Sequence, residues 1–154
     1  MSNYEISNAT ETIREFNRLS AKSKKLFQNM REQKGCTQTI LQIVTDNICE
    51  DLNIETIQIS FSGKQPSSGR GKILGVYRQI GTGLNGKGRI EKRNIKVYQY
   101  TAKQLKQVAT KTAFNTLLHE LCHYFDYRIL YLNNSVHTAG FYKRISALKD
   151  TLMK

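Results

Sequence analysis

Two histidines four residues apart, with a glutamate beside the first, stand in the stretch LLHELCHYFD at residues 117–126. On a helix, positions i and i+4 lie one turn apart on the same face. His119 and His123 can therefore aim a ring nitrogen at one cation. Glu120 sits about 100° around the same helix, near enough to reach a water on that cation without displacing it. The chain has three histidines in all, and they fall between residues 119 and 137. The plainer alternative, a pair of interior histidines bonded to backbone or carboxylate groups, leaves that clustering unexplained.

A hydrolytic zinc site takes three protein ligands and leaves a fourth position for water. Elimination points to the third ligand. No glutamate follows Glu120, which excludes patterns closed by a downstream glutamate. The HExxHxxGxxH arrangement fails as well, because Asp126 and Ile129 occupy its glycine and last histidine positions. Asp126 would lie roughly 10 Å from His119 along a helix, too far to share an ion. Cys122 falls on the buried flank, where a small thiol packs well. His137 remains, past a turn at NNS and at the entry to a last helix. The expected ligands are His119, His123 and His137, the expected ion is zinc, which three imidazoles favour, and the expected acid/base is Glu120. Asp126 either accepts an N–H from a ligand histidine, fixing its tautomer, or forms a surface ion pair with Arg128 or a neighbour. Tyr124, Tyr131, Tyr142 and Arg144 could each polarise a substrate carbonyl, and the sequence does not choose among them.

Several elements must position these residues. Ile13, Phe16, Leu19, Phe27 and Met30 recur at loosely helical spacing and predict a helix over residues 9–32, ended near Gly35. Thr37 reads as the N-cap of a second helix running to about Asp51. TIQISF (56–61) alternates with period two, and KILGVYRQI (72–80) and NIKVYQY (94–100) read as further strands. Residues 81–89, GTGLNGKGR, would join the last two as a basic hairpin tip. They nearly spell a phosphate-cradling loop, but Gly88 stands where a magnesium-binding hydroxyl is needed and a strand follows where a helix should. From about Thr101 to Asn133 the pattern is helical, with a break near Thr110. Phe141, Ile145, Leu148 and Leu152 mark a final helix. Helices, then an antiparallel meander, then helices make an α+β order.

The chain of 154 residues carries 24 Lys and Arg against 12 Asp and Glu, a net charge of +12. Between Ser62 and Lys111 there are twelve basic residues and one acid, Glu91. Such a segment attracts polyanions, DNA above all, through a field that weakens with salt. The bland alternative is a solvated surface kept for solubility. No window approaches the roughly 18 apolar residues of a membrane span. Nothing in MSNYEISNATETIREF reads as a secretory signal. Cys36, Cys49 and Cys122 are an odd number at no zinc-finger spacing, so a reducing compartment is expected, cytoplasmic or nucleoid-associated.

With these residues in place, the chain resembles the SprT-like (Spartan-type) zinc metallopeptidases. The likeness runs over about Leu52 to Leu148: a strand before a glycine-containing loop, a short meander, TLLHELCHYFD, and HTAGFYKRI, which is similar to that family's third-ligand segment. The meander matches in pattern rather than in residues, and no zinc ribbon follows within these 154 residues. The resemblance implies a zincin-like (minimal gluzincin) fold with N-terminal helices, a small three-stranded antiparallel sheet, an HExxH helix and a C-terminal helix. It divides the chain into a helical region at 1–51 and a metallopeptidase domain at 52–154. It carries His119, His123 and His137 over as zinc ligands, Glu120 as the acid/base, and Phe141 as a packing aromatic beside the site. It further implies a protein substrate associated with DNA, laid as an added strand along a sheet edge near residues 95–100. Two rival readings keep the metal: a zinc peptidase specific for one regulator and indifferent to DNA, and a non-catalytic, zinc-stapled nucleic-acid-binding module. The second sits badly with Glu120, because a structural site is closed by four ligands and needs no base.

Overall fold

The computed structural model of the chain describes residues 1–68, 71–81 and 91–154. The expected hairpin tip lies mostly outside the described residues, as does part of the preceding loop. Where one helix is expected over 9–32 there are two pieces, a 3-10 helix (Arg14–Arg18) and α2 (Ala21–Arg31), preceded by a separate short helix α1 (Asn3–Ala9). The physical reason lies in the spacing. Ile13, Phe16 and Leu19 recur strictly every third residue, the period of a 3-10 turn rather than an α-helix. All three are buried, and the Phe16 and Leu19 amides donate to the carbonyls of Ile13 and Phe16. Ser20 then restarts the chain as N-cap of α2, its hydroxyl accepting from the Ser23 amide.

Helix α3 (Gln38–Asp51) begins at Thr37, whose side chain accepts from the Ile40 amide, as the sequence predicts. Its last residue reaches back to α2. The Asp51 carboxylate accepts hydrogen bonds from the Ser20 amide, the Ser20 hydroxyl and the Ser23 hydroxyl. Burial pushes this carboxyl up, but the bonds from Ser23 and Ser20 outweigh it and hold it below its ordinary value. A depressed carboxyl contributes stability above the unfolded-state pKa of about 4, and the contribution is lost as pH falls through and below that range. Asp51→Ala is expected to cost about 1 kcal/mol at neutral pH, as loss of a capping group does. That difference should shrink in urea melts as pH falls through and below the unfolded-state value; a pH-independent cost would show that the ionised carboxylate is not what holds α2 to α3.

The strands β1 (Gln58–Phe61), β4 (Gly75–Gly81) and β5 (Glu91–Val97) form one sheet in the order β1-β5-β4. Two-residue strands β2 (Ser67–Ser68) and β3 (Gly71–Lys72) pair separately. The sheet is mixed, not the antiparallel meander expected. β4 and β5 are antiparallel, but β1 runs parallel to β5, from Gln58 opposite Asn94 to Phe61 opposite Val97. β5 takes the central place with a partner on each edge, and its Ile95 and Val97 side chains are buried in the core. Alternation fixes which faces of strands are buried and says nothing about their order.

Residues 101–109 are not helical; Leu105 has a φ of 52°. The long helix α4 (Thr110–Arg128) starts at the expected break, and α5 (Ala139–Leu152) is the final helix. Residues 1–51 and 52–154 contribute to one hydrophobic core. Phe27 meets Phe114 of α4 edge-on at 5.5 Å, and Phe16 meets Phe125 at 6.1 Å. Each such buried side chain contributes about 1.5–3 kcal/mol, so α4 is clamped along its length by elements on both sides. No described helix is long and apolar enough to cross a membrane.

Candidate metal centre

Helix α4 buries Ala113, Phe114, Leu117, Leu121 and Phe125 in the core, which leaves His119, Glu120 and His123 on the flank facing a groove. His137 comes from the other direction. It precedes Thr138, the N-cap of α5, whose hydroxyl accepts from the Phe141 amide at 3.0 Å. That cap sets where α5 starts and with it where the His137 ring stands.

The three rings converge. His137 Nε2 lies 3.2 Å from His119 Nε2 and 3.0 Å from His123 Nε2. Three ring nitrogens thus crowd one point, where their lone pairs repel one another unless a hydrogen or a cation lies between them. A cation among the nitrogens removes that conflict: tetrahedral zinc with N at 2.0–2.1 Å places ligand nitrogens about 3.3 Å apart. Among the described residues these three histidines form the one group of metal-binding side chains close enough to hold an ion. Burial lowers the pKa of His119 to about 4, helped by His137, and that of His123 to about 3, helped by both other rings. Both are therefore neutral at pH 7, the form that binds metal. Phe141 packs against all three rings, stacked on His123 at 4.5 Å and edge-on to His119 at 5.2 Å. Tyr77 of β4 stacks on the His123 ring at 6.5 Å.

Glu120 stands beside the ligand atoms, not among them. Its Oε2 is 3.9 Å from His119 Nε2. Burial raises its carboxyl to about 7, partly opposed by a hydrogen bond from the Tyr77 backbone amide. That amide is available because of sheet parity. Tyr98 N donates to Leu74 O, so alternate residues of β4 bond to β5 while Gly75, Tyr77 and Gln79 turn their backbone groups away from it, toward the groove. At Gly75 a Cβ would lie 2.6 Å from the Thr116 methyl and 3.3 Å from Glu120 Cγ, so only glycine lets β4 come this close to α4. The groove holds about 850 Å³ between β4, α4 and the 133–137 loop. β5, expected to offer the free edge, is the central strand; β4 is the one that lines the groove.

Asp126 and Arg128 part company. Arg128 pairs with Glu55 at 2.7 Å. Asp126 is fully buried and forms a forked pair with Arg144 at 3.0 and 2.9 Å. It reaches the histidine cluster indirectly: the Ser135 hydroxyl donates to Asp126 at 2.7 Å and lies 2.7 Å from His123 Nδ1. Of the residues considered for polarising a carbonyl, Arg144 is buried in that network, and the Tyr124 hydroxyl donates to the Glu55 carbonyl. Tyr131 is 80% exposed at a φ of 57°. Tyr142 alone stands by the site, half exposed, its ring 5.8 Å from His137 and 6.2 Å from His119. All three cysteines are free and buried, and burial raises each thiol. Ser135 and Tyr77 escaped the sequence reading, since a lone serine in a loop and an aromatic on a strand carry no spacing signal.

Compared with known proteins, the chain matches no family model, no curated protein and no solved structure.

Proposed function

We propose that the chain is a zinc-dependent endopeptidase of the SprT-like type, acting on DNA-associated proteins in the cytoplasm or at the nucleoid. The observation that carries this reading is three imidazole nitrogens facing one point, with a buried carboxyl group beside them, at the wall of a groove. His119, His123 and His137 would hold zinc, which when bound acidifies water and polarises a carbonyl. Glu120 takes the proton of the attacking water and passes it to the leaving amine. The Tyr77 amide holds the carboxylate in place for both transfers. The substrate peptide lies along the edge of β4 that lines the groove, beside Gly75. Two ligands on α4 and a third ahead of α5, beside a small mixed sheet, agree with a zincin-like fold. The basic excess over residues 62–111 supports DNA as the partner that delivers substrate, although several of these residues lie outside the described ones.

One assay tests the whole reading: zinc content of the purified protein, then cleavage of a basic DNA-binding protein with and without duplex DNA over a salt series. One zinc per chain, and cleavage that DNA stimulates less as salt rises, are expected. Protein that stays metal-free after zinc is supplied sinks the proposal. Cleavage indifferent to DNA removes the DNA partner and leaves a regulator-specific peptidase. A fourth protein ligand without cleavage favours the zinc-stapled module.

A further inference from the structure

We infer that the N-terminal helix α1 is a working part of the metal centre, with Ser7 as a positioning residue for two of the three ligands, His123 and His137. The inference rests on the zinc reading of those histidines. Ser7 is fully buried and touches two separate arms of the site.

The first arm runs through Arg144. Its Nη1 donates to the Ser7 carbonyl at 2.6 Å and the Thr10 carbonyl at 2.5 Å, and its Nη2 donates to the Ser7 hydroxyl at 2.9 Å. Its Nε and Nη2 donate to Asp126, Asp126 accepts from Ser135, and Ser135 meets His123 Nδ1. Each hydrogen in this arm has one direction. A guanidinium only donates, and the carboxylate paired with it only accepts. Ser135 must then spend its hydrogen on Asp126 and present a lone pair to His123. His123 therefore carries its hydrogen on Nδ1 and leaves Nε2 bare, the nitrogen that faces the other two rings.

The second arm is shorter. The Ser7 hydroxyl, which accepts from Arg144, also lies 2.9 Å from Thr138 Oγ1 and shares a hydrogen bond with it. Thr138 adjoins His137 and caps α5. The two helices touch at Gly140, where a Cβ would sit 2.1 Å from the Ser7 carbonyl oxygen and 2.6 Å from that of Asn8. A merely structural staple requires contact of this kind and nothing more. The polar chain that continues to His123 Nδ1 is what a staple alone does not need.

The test compares the wild-type chain with Ser7→Ala and Ser135→Ala. Zinc affinity is measured by chelator competition, the ligand field by the visible spectrum of the cobalt-substituted protein, and the His123 tautomer by nitrogen NMR of the metal-free protein. Both variants should bind zinc about 10–100-fold more weakly, as loss of groups that orient ligands does. In Ser135→Ala, His123 should lose its uniform Nδ1–H form, and in both variants the cobalt spectrum should change. If Ser7→Ala does not fold, Thr138→Val breaks the second arm and should weaken zinc binding over the same range. Folded variants with wild-type zinc affinity, cobalt spectrum and tautomer overturn the inference while the zinc reading stands. Wild-type protein that takes no zinc overturns both.

Discussion

On the proposed zinc-peptidase reading, Glu120→Gln should keep its zinc and lose peptide hydrolysis by about 10²–10⁴-fold, the usual worth of a positioned acid/base. The side chain is not one of the ligand atoms, so nothing in the metal's hold depends on it. Glutamine has the same length and still offers an oxygen to the Tyr77 amide, so the groove wall keeps its shape. What disappears is the ability to take a proton from water and return it to the amine. Substrate contacts along β4 are untouched, which places the loss in kcat and leaves KM nearly unchanged. Stability should hold or rise slightly, because a buried carboxyl pushed up to about 7 is replaced by a neutral amide. A fluorogenic peptide assay beside zinc analysis of the same preparation decides the matter. Hydrolysis at the wild-type rate would remove Glu120 from the chemistry altogether.

The site was more legible than the fold around it because its signal is local. His119, Glu120 and His123 are read from helical spacing alone, and His137 follows from the want of any other ligand. Thr37 announces α3 through a side chain that bonds three residues on, again a short-range event. Strand order escapes such reasoning, since β1 and β5 meet in parallel across a long crossover and alternation is the same for either arrangement. The piecewise N-terminus was hidden for a related reason. Spacing of three over Ile13, Phe16 and Leu19 suits a 3-10 turn, and only docking on α4 reveals that it did not extend into a long helix. Asp126 illustrates a third kind of limit. That it serves the ligands was one of two readings of the sequence, but its link through Ser135 and its pairing with Arg144 join residues 9 and 18 positions away. No periodicity connects such positions.

Arg144→Met should cost about 3–5 kcal/mol of unfolding free energy, the range for removing one partner of a buried ion pair. Both partners have no exposed surface, so Asp126 would be left as an uncompensated charge in the interior. The carbonyls of Ser7 and Thr10 would lose their donor at the same time. At roughly 2–4 °C per kcal/mol for a chain of this size, the melting temperature should fall on the order of 10 °C. The melts belong in chelator, because a variant that binds zinc less well also loses the stabilisation that bound zinc confers on the folded state. Adding Asp126→Asn to Arg144→Met should recover part of the loss by removing the stranded charge, and the double-mutant cycle then measures the coupling. Arg144→Lys should not rescue, since one ammonium cannot serve Asp126, Ser7 and Thr10 together as the planar fork does. A methionine variant that melts within about 2 °C of wild type would mean that water reaches this pair and that Asp126 does not depend on Arg144 for its charge.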